Sequence, residues 1–275
     1  MEEKKVLSSF IENAERLQLA ARQTNFVSWE ASLAGFNRMC ESFENARLEH
    51  PNEYVESLYR LAGKVVLVRI VGRALAATYQ RAFAPRAIPM PTMSTPTLLA
   101  PALTIDLWDE GVTGLPYPLQ IEADKGNRPH IGERQVQYND ESGRWVWGEK
   151  VGTATWLDRK VNRIVGWRAQ GAQPPTYERS KPLGFLLPMW FYDQNIHILH
   201  AGVVAREGAG VLITGGHGIG KTTTTLCCML GGFDYLSDDQ IAVEQTMGDR
   251  GAGAFVAHSI FQSARVLPDH LHRFP

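Results

Sequence analysis

The chain has 275 residues, 28 lysines and arginines against 29 aspartates and glutamates, and 44% apolar residues. That is apolar material for one large core or two modest ones, which excludes wholesale disorder. A net charge of -1 supplies no global field for a polyanion, so neither nucleic acid nor a membrane is expected as main partner, although a local anion site stays open.

The opening MEEKK is charged and no apolar run follows it, so no signal peptide is expected. Over residues 1–83 apolar side chains recur at helical spacing: Val6, Phe10, Leu17 and Ala21, then Trp29, Leu33, Phe36, Cys40 and Phe43, then Tyr54, Leu58, Leu61, Val65 and Val68. This predicts three amphipathic helices with a break near His50-Pro51, acting as core, adaptor, dimerisation surface or lid. Residues 84–101 are rich in proline and read as an extended linker and domain boundary. The same prolines exclude a membrane helix in the uncharged stretch from Ala87 to Ile105.

Residues 102–180 change to short β-rich runs: Leu103 to Trp108, Arg134 to Tyr138, Arg144 to Trp147, Thr153 to Leu157 and Val161 to Trp167. A mostly antiparallel layer is expected, with Trp145, Trp147, Trp156 and Trp167 packed between sheet and helix rather than stacked on a ligand. Pro182 to Asn195 is strongly apolar and predicts a buried helix, bent or restarted at Pro188. The three cysteines, Cys40, Cys227 and Cys228, match neither a disulfide framework nor a zinc spacing, so reduced thiols in a cytoplasmic protein are expected.

Chemistry concentrates after residue 200. The run Gly210 to Thr214 is strand-like, and Gly215-Gly216-His217-Gly218-Ile219-Gly220-Lys221-Thr222 fits G-x-x-x-x-G-K-[ST] without a gap. Glycines let several backbone N–H groups close on one phosphate chain, and the helix opening at Gly220 aims its free amides and dipole at the same anion. Lys221 would meet the terminal phosphates, Thr222 would ligate Mg²⁺, and Thr223 lies in the first turn. Seventeen and eighteen residues past Lys221 come Asp238 and Asp239, after the turn and strand-like run Gly232 to Ser237. A helix, a tight turn and a returning strand would set both carboxylates beside the loop, one for metal and one for a proton. If Ile198 to Ala205 pairs with Val211 to Thr214 as a hairpin, His200 lies at a strand end, and a structural or a catalytic histidine are both open on that pattern.

His200, the loop Gly215 to Thr222 and the Asp238-Asp239 pair, at these spacings over some 40 positions, resemble the catalytic domain of the bacterial HPr kinase/phosphorylase family. The resemblance implies ATP and Mg²⁺ at the loop, with His200, Lys221, Asp238 and Asp239 around the transferred phosphoryl group. The family's aspartates act on the acceptor serine and the metal without fixing which does which here; Asp238 is favoured as base, with Asp239 and Thr222 as metal ligands. His217 replaces the family's loop serine, Thr223 its acidic residue, and Ala201 the glycine after the histidine. The family's later Glu-x-Arg-Gly signature is absent from the sequence. These departures point to a divergent kinase whose acceptor is a serine of a protein, peptide or small molecule other than HPr. The alternatives are a nucleotide-sensing module with little turnover, or a phosphoenolpyruvate-carboxykinase-like enzyme. The expected architecture is α/β, α+β taken as a whole: a helical segment over 1–83, the linker, the β region, and a kinase-like domain over 181–275 truncated at its C-terminus. A homo-oligomer is compatible with all of this.

Overall fold

A computed structural model describes residues 25–90, 100–119, 136–150, 152–169, 174, 176–216, 218–247, 253–261 and 264. Val6, Phe10, Leu17 and Ala21 of the first expected helix lie outside the described residues, as does His217.

The chain enters through β1 (Asn25–Val27) and a long helix, α1 (Trp29–Glu49), whose first turn is capped by the Ser28 hydroxyl accepting from the Ala31 amide at 3.3 Å. Phe36, Met39 and Phe43 form its buried face, as their spacing predicts. The third expected helix is instead a hairpin, β2 (Tyr54–Leu61) and β3 (Lys64–Val71). Two features explain the correction. Val65, Val66, Val68, Ile70 and Val71 are β-branched, and Ala62 and Gly63 both take positive φ, 45° and 77°, as a two-residue hairpin turn requires. Both strands carry buried residues on both faces, so their apolar residues do not alternate and the run mimics a helix.

Next come α2 (Arg73–Ala82), β4 (Ala87–Ile88), β5 (Leu103–Asp109), α3 (Glu110–Thr113), β6 (Val136–Asp140), β7 (Trp145–Lys150), β8 (Thr153–Asp158) and β9 (Arg163–Arg168). All join the hairpin in one nine-stranded sheet of order β1-β6-β7-β8-β9-β5-β3-β2-β4. β3, β5 and β9 run parallel to one another, while β6 to β9 form the expected antiparallel meander. The boundary expected at 84–101 therefore does not divide the fold, since Val66 pairs with Leu103 across it.

One face of this sheet is covered by α1 over Trp145, Trp147 and Trp156, which are buried; Trp147 and Trp156 stack with centroids 4.0 Å apart. Trp167 is partly buried in the same cluster, so the tryptophans are core. The other face carries α2 and the apolar helix α5 (Leu186–Asp193), which follows the short α4 (Thr176–Ser180). Pro188 lies in the first turn of α5, where a missing N–H costs nothing, so the helix starts just before it.

Beyond α5 the chain builds two three-stranded sheets from β10 (Ile196–His200), β11 (Gly202–Arg206), β12 (Ala209–Ile213), α6 (Lys221–Leu230), β13 (Asp234–Ser237), β14 (Gln240–Met247) and β15 (Gly253–His258). Their orders are β10-β14-β15 and β12-β11-β13. Ile196, Ala242 and Phe261 of this part share a core cluster with Leu103, Ile105 and Ile164 of the large sheet. The described residues of this part thus share a common core with the large sheet. The whole is a mixed α/β fold, α+β in arrangement, with several antiparallel sheets. Among the described residues no helix is long and apolar enough to cross a membrane.

Asp106, fully buried on β5, is held by two arginines: Arg69 at 2.6 and 2.7 Å and Arg163 at 2.7 Å. Glu44 of α1 stands 3.5 Å from Arg69 and 3.6 Å from Arg163. Removing the shared carboxylate strands two partly buried cations, so Asp106→Ala is expected to lose about 3 kcal/mol of stability in urea unfolding. Burial also pushes the Cys40 thiol up to about 11, against an opposing pull from Arg163. Its protonated form therefore supports the fold below the ordinary thiol range, and that support fades as pH rises through the raised value. At pH 8 a thiol reagent should label exposed Cys227 well before Cys40, as peptide mapping would read.

Candidate functional site

Three chain reversals converge where the two small sheets meet. β12 rises to the glycine loop, and α6 returns over β11 and β13. β13 then ends at Ser237 and β10 ends at His200. The Ala201 amide donates to the Asp239 carbonyl at 2.9 Å, which stitches the two sheets together at this point. The helix can lie this close because Gly202 has no side chain: a Cβ there would come within 2.5 Å of Thr225 Cγ2. Gly202→Ala is therefore expected to lower stability by roughly 1–3 kcal/mol in thermal unfolding, by levering α6 off β11.

The loop follows its sequence pattern. Gly215, Gly218 and Gly220 take φ of 148°, 81° and 99°, all in the region that favours glycine. At Gly215 a side chain would also collide with Ile219, whose Cδ1 lies 1.9 Å from the position of a Cβ. Gly216 meets no atom within 4 Å of its own Cβ position, and Ile219 is exposed. Lys221 is buried, and its ammonium donates to the carbonyls of Gly215 at 2.9 Å and Gly216 at 3.0 Å. It thus reaches into the loop, as the motif requires. Thr222 and Thr223 sit half-buried in the first turn of α6.

The two aspartates differ in their surroundings. Asp238 is 3% exposed, and its carboxylate accepts from the Thr222 hydroxyl at 3.0 Å and from the Tyr235 hydroxyl at 2.9 Å. Burial first, and then the charge of Asp238, raise the Tyr235 phenol well above its ordinary range, so it stays a donor. Asp239 is more open. One of its oxygens lies 2.6 Å from His200 Nδ1, and the other is paired with the Lys181 ammonium. The Thr222 hydroxyl therefore partners Asp238, whereas Asp239, with which it is expected to hold metal, faces His200 and Lys181. Ser237 fixes this turn, donating to the Gln240 carbonyl at 2.8 Å and accepting from the Asp239 amide at 3.2 Å.

The site thus brings together His200, Lys221, Thr222, Asp238 and Asp239. Sequence reasoning missed Lys181 and Tyr235. Tyr235 lies three residues before Asp238, a spacing that strand alternation would put on opposite faces, and Lys181 lies far away in sequence with no motif around it. Gln240, paired across the ladder with His200, has a buried side-chain oxygen with no hydrogen-bond partner among the described residues. Among the same residues no three His, Cys, Asp or Glu side chains cluster as a metal cage.

No protein-family model matches this chain, and no curated protein matches it.

Proposed function

We propose that the chain is an ATP-dependent, Mg²⁺-requiring phosphotransferase that passes the γ-phosphoryl group to a serine hydroxyl of a protein, peptide or small acceptor, in the manner of the HPr kinase-like enzymes it resembles. The observation that carries this reading is a pair of adjacent, differently dressed carboxylates, of which Asp238 accepts from Thr222, next to the loop lysine, at 3.0 Å, and Asp239 lies 2.6 Å from His200.

In this reading the loop amides and the N-terminus of α6 take the phosphates, and Lys221 leaves the carbonyls of Gly215 and Gly216 to neutralise them. The Thr222 hydroxyl and the Asp238 carboxylate are hard oxygen donors at the start of the helix. They fit Mg²⁺, which keeps waters and phosphate oxygens as its remaining ligands and so needs no cage of protein side chains. The ion, when bound, would screen charge on the phosphates. Asp239 then serves as the base. The acceptor oxygen forms its bond to the γ-phosphorus, the bond from that phosphorus to the bridging oxygen breaks, ADP leaves, and the acceptor's proton goes to Asp239. His200 holds the carboxylate from one side. These roles reverse the expectation that Asp238 is the base and Asp239 the metal ligand. A cytoplasmic setting, where ATP and reduced thiols coexist, belongs to the same reading.

The test is incubation of the full chain with ATP labelled at the γ position, Mg²⁺ and a pooled serine-peptide library. Label on peptide supports the reading. Firm ATP binding with no labelled product favours instead the nucleotide-sensing module, in which release of Lys221 from the loop carbonyls is itself the signal.

A further inference from the structure

Asp239 is gripped from two sides by residues that the chain delivers from different places. His200 comes from the end of β10 and is 60% exposed, whereas Lys181 comes from the turn before α5 and is only 16% exposed. A carboxylate 30% exposed at the end of a turn would otherwise sample several rotamers. With one oxygen on an ammonium and the other on an imidazole nitrogen, its rotation is fixed.

Lys181 is in turn placed by something remote. It follows α4 directly, and Glu178 of α4 pairs with Arg168 at the end of β9. Both side chains are largely buried, at 17% and 8% exposure, which makes the pair a clamp rather than a surface contact. Arg168 also faces the phenol of Tyr79, buried on α2. The short helix that carries Lys181 is therefore fastened to the nine-stranded sheet.

We propose that Lys181 is a positioning residue for Asp239, and that the Arg168–Glu178 clamp sets it in place, so that the large sheet controls the alignment of the base. This rests on the phosphotransferase reading above and adds to it a residue and a structural route. Phosphoryl transfer gains mainly from positioning, and an ångström of misalignment at a reacting group is costly. A lysine that acted instead by touching phosphate would affect nucleotide affinity, which is the distinction the test uses.

The experiment measures hydrolysis of MgATP by the full chain with water as acceptor. The water oxygen bonds to the γ-phosphorus, the bond to the bridging oxygen of ADP breaks, and the proton goes to Asp239. Lys181→Met is expected to lower kcat by about 30- to 100-fold while KM for ATP stays within about twofold. Lys181→Arg should recover most of the loss, because a guanidinium can grip the same carboxylate. Glu178→Gln should lower kcat by roughly 5- to 10-fold in the wild-type background and by nothing further in the Lys181→Met background. Raised KM with unchanged kcat, no recovery in Lys181→Arg, or independent multiplying losses in the double variant would each overturn the proposal. Thermal unfolding of each variant identifies one that fails to fold, and Lys181→Arg with Glu178→Gln, both conservative, then carries the decision. A wild-type chain that neither binds nor hydrolyses ATP overturns the underlying reading, whereas one that hydrolyses it at a rate indifferent to Lys181 overturns this inference alone.

Discussion

Lys221→Ala is expected to lose ATP binding by two to three orders of magnitude, read as the shift in Kd by fluorescence titration or calorimetry. The reason is positional. Lys221 is buried with its ammonium already inside the loop, so its charge is in place before the phosphates arrive. Deleting a buried charge opposite a polyanion costs about 3–4 kcal/mol, and at about 1.4 kcal/mol per decade that is roughly two to three decades of affinity. Lys221→Met keeps the stem that fills the space and should lose binding to a similar degree, which separates charge from packing. Affinity unchanged in both variants would mean that the loop is a glycine turn with no phosphate to hold.

Asp239→Asn should leave MgATP affinity within a few-fold of wild type and lower phosphoryl transfer by about 10²- to 10⁴-fold, the usual worth of a positioned base. The amide keeps the shape and can still accept from Lys181, but it cannot take the acceptor's proton. Asp238→Asn should behave differently. Its carboxylate faces Thr222 and Tyr235, so its loss should appear first as a higher Mg²⁺ requirement. A comparison of the two variants across Mg²⁺ concentrations thus reads out which aspartate does what. The reverse pattern, with Asp238→Asn insensitive to Mg²⁺ and Asp239→Asn sensitive, would restore Asp238 as base and Asp239 as metal ligand.

The loop, α6 and the position of the aspartate pair were legible in the sequence because their geometry is local. Positive-φ glycines, a lysine at the first helical residue and a Gly-Phe turn into a strand leave few ways to arrange some 25 residues. The β meander from Val136 to Arg168 was legible for a similar reason, since its strands are separated by turn signals and lie beside their sequence neighbours. The hairpin at Tyr54 to Val71 was not. It lies near one end of the sheet with apolar neighbours on both faces, and the decisive signal was the β-branched run after Ala62-Gly63 rather than the apolar period. The proline-rich stretch looked like a boundary because prolines interrupt local structure, yet strands on either side of it pair in parallel, a contact no local pattern reports. At the site, adjacent residues on one turn look equivalent in sequence. Only the direction of each carboxylate assigns Asp238 to Thr222 and Asp239 to His200 and Lys181.

Competition between ATP and simple fragments of it tests the account most directly. With a fluorescent ATP analogue bound to the full chain in Mg²⁺, inorganic tripolyphosphate should displace the analogue and adenosine should not, because the glycine loop, Lys221 and the start of α6 all address the phosphate chain. Displacement by adenosine with no effect of tripolyphosphate, or no saturable binding of the analogue at all, would contradict it.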